Sequence, residues 1–170
     1  QWRKWLHDGY IAGTAVAPKT VALAAGWNAV PPSAGPAAGV EVIFKRDASV
    51  YDGRFANNGW LQELPKPVTK LTWDNAALVG PRTAEKLGVA NGDLLSVKLE
   101  GRTLEVPAWI DPGHAQDAVT ISLGYGRSRA GRVGNGVGFN AYALRGSGSV
   151  WFGGAEVAKA GGTYNLVSMA

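Results

Sequence analysis

The chain has 170 residues, a net charge of +4 from 17 Lys plus Arg against 13 Asp plus Glu, and no cysteine. That length suits one domain with a real core, domains usually running about 100–200 residues, and the missing cysteine excludes iron–sulfur ligation, thiolate zinc, disulfides and a thiol nucleophile within the chain. His7 and His114 alone argue against a His-rich metal site, while 24 glycines and 9 prolines favour short strands and loops over long helices.

The chain opens on Gln1, without an initiator Met or a signal-peptide pattern, and reads as a processed chain or an excised fragment. No apolar run approaches the roughly 20 residues of a membrane-spanning helix. Trp2, Trp5 and Leu6 are spaced to line one face of a short helix, and a turn follows from Gly9 to Gly13. Val30–Gly39 is a Pro/Gly/Ala linker or extended loop, so residues 1–38 precede a core domain over 39–170. Val40–Phe44 is a strand. Pro81 near the start and Gly88 just past the end bracket a short helix over Arg82–Leu87. Asn91-Gly92-Asp93 turns the chain into a half-buried strand in which Leu95, Val97 and Leu99 alternate with polar residues. Glu100-Gly101 turns it back, Leu104, Val106, Ala108 and Ile110 alternate on the returning strand, and Ala118–Leu123 is a further strand. Strands this closely spaced around one short helix indicate a small barrel or sandwich.

The segment Gly124–Gly148 holds eight glycines, four arginines (Arg127, Arg129, Arg132, Arg145) and no acid. Residues 118–155 thereby carry the whole charge surplus. Glycines let backbone N–H groups turn toward an anion, and arginines add bidentate phosphate recognition. The alternative is that glycine supplies the tight bends of a barrel whose arginines are solvated or pair with another subunit, since no GxxxxGK[ST] loop is present. Asn57, Asn58, Trp60, Trp73, Asp74 and Asn75 have the chemistry to hydrogen-bond and cover a heterocycle. Equally, such residues cap turns and fill cores. His114, in Pro112-Gly113-His114, is expected as a surface turn residue, and Glu63, Asp74 and Asp93 form no evident acid/base pair. Tyr125, Phe139 and Tyr142 beside the arginines leave a nucleic-acid-binding barrel as an alternative, weakened by the modest net charge and the lack of a basic stripe. On its own residues the chain is a binding domain with no catalytic or metal-ligating set.

Thr72-Trp73-Asp74-Asn75-Ala76-Ala77, followed by Gly80-Pro81-Arg82-Thr83-Ala84-Glu85-Lys86-Leu87-Gly88-Val89-Ala90-Asn91-Gly92-Asp93, resembles the C-terminal dinucleotide-binding domain of the molybdopterin oxidoreductases. Leu123-Gly124-Tyr125-Gly126-Arg127 and Gly136-Val137-Gly138-Phe139-Asn140-Ala141-Tyr142 match in order and spacing. Tyr51–Pro65, with the opening Trp2–Gly9, looks like the large iron–sulfur/molybdopterin-like subunit of alternative complex III, a quinol-oxidising bacterial respiratory assembly. The resemblance implies a mainly-β fold, a double-psi β-barrel of the aspartate-decarboxylase-like kind with a few short helices. It implies a periplasmic position, with the preceding domains of the same polypeptide and other subunits of a membrane-bound complex as partners, no nucleic acid and no direct membrane insertion. No cofactor is expected in this chain alone. If the parent retains the site, molybdopterin guanine dinucleotide would be held by Trp73, Asp74, Asn75, Gly124, Tyr125, Gly126, Arg127, Asn135, Gly138 and Asn140. Any metal ligand or iron–sulfur centre would lie outside the chain. A true molybdenum enzyme similar to polysulfide or tetrathionate reductase is the alternative parent.

Overall fold

The computed structural model describes residues 1–29 and 39–169. The chain divides into two units, Gln1–Ser33 and Ala34–Ala170; apart from Gly39, the linker expected at Val30–Gly39 lies outside the described residues. In the first unit the expected short helix forms as α1 (Trp2–Asp8), closed by Gly9 in the left-handed conformation with its N–H on the Trp5 carbonyl. The helix buries none of its residues, and Trp2 and Leu6 are exposed.

The second unit is a closed six-stranded barrel. Its elements are β1 (Val40–Lys45), α2 (Gly59–Glu63), β2 (Ala77–Val79), α3 (Pro81–Leu87), β3 (Asp93–Leu99), β4 (Arg102–Ile110), β5 (Ala118–Ser122), α4 (Gly131–Gly134), a 3-10 turn (Ala141–Ala143) and β6 (Phe152–Thr163). Around the barrel the order is β1-β5-β2-β4-β3-β6, with β6 returning to β1. The pairs β1–β5 and β2–β4 are parallel and the others antiparallel. The connection from β1 to β2 strides over β5, and that from β4 to β5 strides over β2. The two crossovers therefore interlock, the arrangement expected of a double-psi barrel.

Local chemistry explains the best-defined elements. In α3, Pro81 occupies the first turn and Gly88 closes the helix with its N–H on the Ala84 and Glu85 carbonyls. Asp93 accepts the Ala90 N–H at 2.8 Å, and Asn91 accepts the Ile110 N–H at 2.6 Å, pinning the 91–93 turn to the end of β4. Glu100 and Gly101 both have positive φ, as a two-residue hairpin turn requires, and set the register Leu99 opposite Arg102. The expected alternation fails in β4, where Val106, Pro107 and Ala108 are all buried. There β4 passes from its β3 partner to its β2 partner, and neighbours cover both faces.

Strand β6 has no sequence signature. Its glycine-rich run forms a strand because β1 and β3 both need an antiparallel partner; residues 152–155 serve β1 and residues 156–163 serve β3. Val42, Phe44, Val79, Leu95, Val97, Val106 and Ile121 fill the interior. Truncating Ile121, fully buried, should be graded: Ile121→Val lowers unfolding free energy by about 0.5–1.5 kcal/mol and Ile121→Ala by about 2–5 kcal/mol in urea titrations.

Candidate functional site

The long connections 46–76 and 123–151 meet over a cluster of buried polar groups. Asp47 Oδ1 accepts the Ser49 N–H at 2.8 Å, the Val50 N–H at 3.0 Å and the Tyr125 hydroxyl at 3.1 Å. Tyr125 is 1% exposed, and burial together with the Asp47 charge pushes its phenol far up. Lys66 donates to the Asp74 carbonyl at 3.1 Å and lies 5.1 Å from the Tyr125 ring centre. Burial lowers its amine, against the opposing pull of Asp47 and Asp74. The Asp74 carboxylate accepts the Tyr164 hydroxyl at 3.2 Å; desolvation raises it, partly offset by Tyr164, the Gly138 N–H and Lys66. Asp47, Lys66, Asp74 and Asn75 line a cavity of about 170 Å³.

Asn75 uses its whole side chain on backbone. Its Nδ2 donates to the Ser122 carbonyl at 2.7 Å and the Phe139 carbonyl at 2.9 Å, while Oδ1 accepts the Phe139 N–H at 2.7 Å. One buried amide thus ties the start of β2 to the end of β5 and to the 138–140 loop. Gly138 and Gly126 are where this loop approaches closest: a Cβ at Gly138 would stand 2.7 Å from Asn75 Oδ1, and one at Gly126 would overlap the Asn140 backbone. Both residues also have positive φ.

The other expected cofactor positions have internal duties as well. Asn135 accepts the Ala130 N–H at 2.6 Å and closes the 130–135 loop. Asn140 caps the 3-10 turn through the Tyr142 N–H at 3.2 Å. Gly124 packs on the Gly53 backbone. Trp73 is half-buried with φ 65°, a strained value for an aromatic residue; its N–H donates to the Gln62 carbonyl at 2.8 Å. The Arg127 side chain is exposed.

These residues do gather on one end of the barrel. Asp74 and Asn75 do not fit a pterin dinucleotide within this chain, because their buried side chains are committed to the fold, whereas Asn135 and Asn140 are exposed and use only Oδ1 on the backbone. The cavity beside Asp74 and Asn75 is also smaller than the roughly 300–1,000 Å³ of small-molecule sites. Among the described residues, no group of three His, Asp or Glu side chains could hold a metal ion, and no helix is long and apolar enough to cross a membrane.

The second candidate segment divides. Asn57 accepts the Val133 N–H at 3.0 Å and Asn58 caps α2 through the Leu61 N–H, as turn-forming residues do. Trp60 is 87% exposed, so it is no core residue. The expectation of a surface histidine at 114 is corrected: its ring is half-buried, with Nε2 2.8 Å from Thr120 Oγ1 and Nδ1 3.1 Å from the Ala115 carbonyl.

Spacing along the chain gives no hint of a run of guanidinium groups over aromatic rings. Arg54 and Arg46 each lie 5.0 Å from the Tyr51 ring, Arg46 and Arg145 lie 5.3 and 5.1 Å from Trp151, and Arg145 lies 5.3 Å from Tyr142. Tyr142 closes the circuit by donating to the Asp52 carbonyl at 3.0 Å. Its members come from residues 46–54 and 142–151, so the only sequence signal was arginines interleaved with aromatics at each end.

Comparison with known proteins bears on the fold and on part of the sequence. No protein-family model matches the chain. A stretch of 54 residues is 35% identical to a tetrathionate reductase subunit from Archaeoglobus fulgidus, covering 32% of this chain and 5% of that protein. The solved structure of acetylene hydratase from Pelobacter acetylenicus shares the fold, with a TM-score of 0.51 and 19% identity over 72% of this chain and 18% of the other. The chain thus spans a small part of the length of both.

Two outcomes follow from the site geometry. Asn75→Ala, leaving buried backbone groups unpaired, should destabilise the chain by about 3 kcal/mol or more, whereas Asn140→Ala, losing an exposed cap, should cost about 1 kcal/mol, both read in urea. Because Asp74 has a raised pKa in the folded chain, its ionisation opposes folding: the penalty is absent below the ordinary value of 3.8 and grows as pH rises through the folded value. Asp74→Asn keeps an acceptor for Tyr164, so its Tm relative to the parent chain should climb as pH rises above 3.8 and level off once the folded carboxyl is ionised; a pH-independent difference would contradict the shift.

Proposed function

We propose that the chain is a C-terminal barrel domain of a molybdopterin-oxidoreductase-type polypeptide, serving as a structural scaffold in the large subunit of a quinol-oxidising complex of the alternative complex III type. The observation that carries the scaffold role is the commitment of Asn75. Its three hydrogen bonds tie together the loops on which the expected cofactor residues lie. The motifs at Thr72–Asp93, Leu123–Arg127 and Gly136–Tyr142 support the family, as does the local similarity to tetrathionate reductase. The shared fold with acetylene hydratase agrees with it. The Tyr51–Pro65 stretch supports the respiratory-complex parent. In this reading the partners are the preceding domains of the same polypeptide and other subunits, on the periplasmic side of the membrane.

The 54-residue similarity favours a second reading, the equivalent domain of a true molybdenum enzyme. There the cofactor would supply the redox chemistry between domains, and this chain would offer the exposed Arg127 to its phosphates. Metal and pterin content of the purified full-length parent separates the two. The scaffold reading expects molybdenum and tungsten far below one atom per polypeptide and no oxidised pterin fluorescence in acid extracts; stoichiometric metal with pterin would overturn it in favour of the second.

A further inference from the structure

The geometry points to an interaction surface for an acidic protein segment on the guanidinium–aromatic run of Arg54, Tyr51, Arg46, Trp151, Arg145 and Tyr142. Each guanidinium carbon lies over at least one ring, 5.0–5.3 Å from its centre, which restrains the side chain, and among the described residues no carboxylate pairs with the terminal nitrogens of Arg46 or Arg145. A cation–ring contact of this kind restrains an arginine whose planar fork suits bidentate recognition of a carboxylate.

One position already shows what such an edge accepts. Arg54 holds the Asp52 carboxylate through Nε at 2.9 Å and a terminal nitrogen at 2.7 Å, and holds its pKa down to about 2. Arg46 and Arg145 have no such partner: among the described residues no carboxylate lies within ion-pair distance of either, and Arg145 spends only Nε, on the Val150 carbonyl at 2.7 Å. Lys45 adds a further exposed cation. An open groove of about 540 Å³ runs alongside, lined by Lys45, Arg46 and Trp151 with His114 and Asp111 among the other lining residues. Trp151 and Phe152 are exposed beside it. Aromatic and arginine side chains together are the usual anchors of protein interfaces. The occupant that completes this surface carries carboxylates for Arg46 and Arg145, as Asp52 does for Arg54. This rests on the scaffold reading only in taking the occupant to be a neighbouring domain or subunit.

The test is fluorescence anisotropy of a labelled (Glu-Ser)5 peptide with the 170-residue chain at low ionic strength. Binding that salt weakens is expected, and the double variant Arg46→Gln/Arg145→Gln should weaken it by about tenfold or more. A labelled (Gln-Ser)5 peptide should not bind. Should the Arg145 change unfold the chain, the exposed Arg46→Gln variant alone decides, with a several-fold loss expected. No binding, equal binding of the neutral peptide, no effect of the variants, or tighter binding of a single-stranded oligo-dT of equal charge would each overturn the proposal, the last in favour of nucleic acid. Failure here leaves the scaffold reading standing, since metal and pterin content decides that one.

Discussion

A single buried amide governs how this barrel end is built. Closing six strands with interlocked crossovers sends the two longest connections, 46–76 and 123–151, over the same end. Neither connection carries regular structure sufficient to satisfy its own backbone, and buried backbone groups must find partners. Asn75 supplies three of those partners at once, reaching from the start of β2 to Ser122 and Phe139. Around it Asp47 holds the turn 47–50 and the Tyr125 hydroxyl, and Asp74 holds the hydroxyl of Tyr164. The Asp47, Asp74 and Asn75 side chains are all aimed at the chain itself.

This accounts for the glycines. Loops drawn this tightly onto one another leave no room for a Cβ at Gly126 or Gly138. The glycine-rich segment therefore reflects close backbone approach, the less specific of the two meanings such composition carries. Its arginines follow a different logic. Arg145 belongs to the stacked surface with Arg46 and Trp151, while the Arg127, Arg129 and Arg132 side chains are exposed. The local charge surplus and the glycines are two features sharing one stretch of sequence.

Much of the fold was legible where local rules decide. The helix between Pro81 and Gly88, the 91–93 turn and the hairpin around Glu100-Gly101 each follow from side-chain or backbone chemistry within a few residues. Strand β6 was not legible, because Gly153, Gly154, Gly161 and Gly162 give it no alternation and only the open edges of β1 and β3 make it a strand. Asn75 and Asp74 stand out in the sequence as polar residues beside Trp73, but their hydrogen-bond partners lie 47, 64 and 90 residues away along the chain, which spacing cannot show. The same distance hid the pairing of Arg46 with Trp151.

Amide hydrogen exchange in the 170-residue chain measures this self-bracing directly. The Phe139 N–H, accepted by Asn75 Oδ1, and the Gly126 N–H, accepted by the Val137 carbonyl at 2.7 Å, should exchange with opening free energies close to that of the barrel strand Ile121. Exchange of Phe139 and Gly126 at rates typical of a free surface loop, while Ile121 stays protected, would contradict the account and return these loops to the role of an open ligand site.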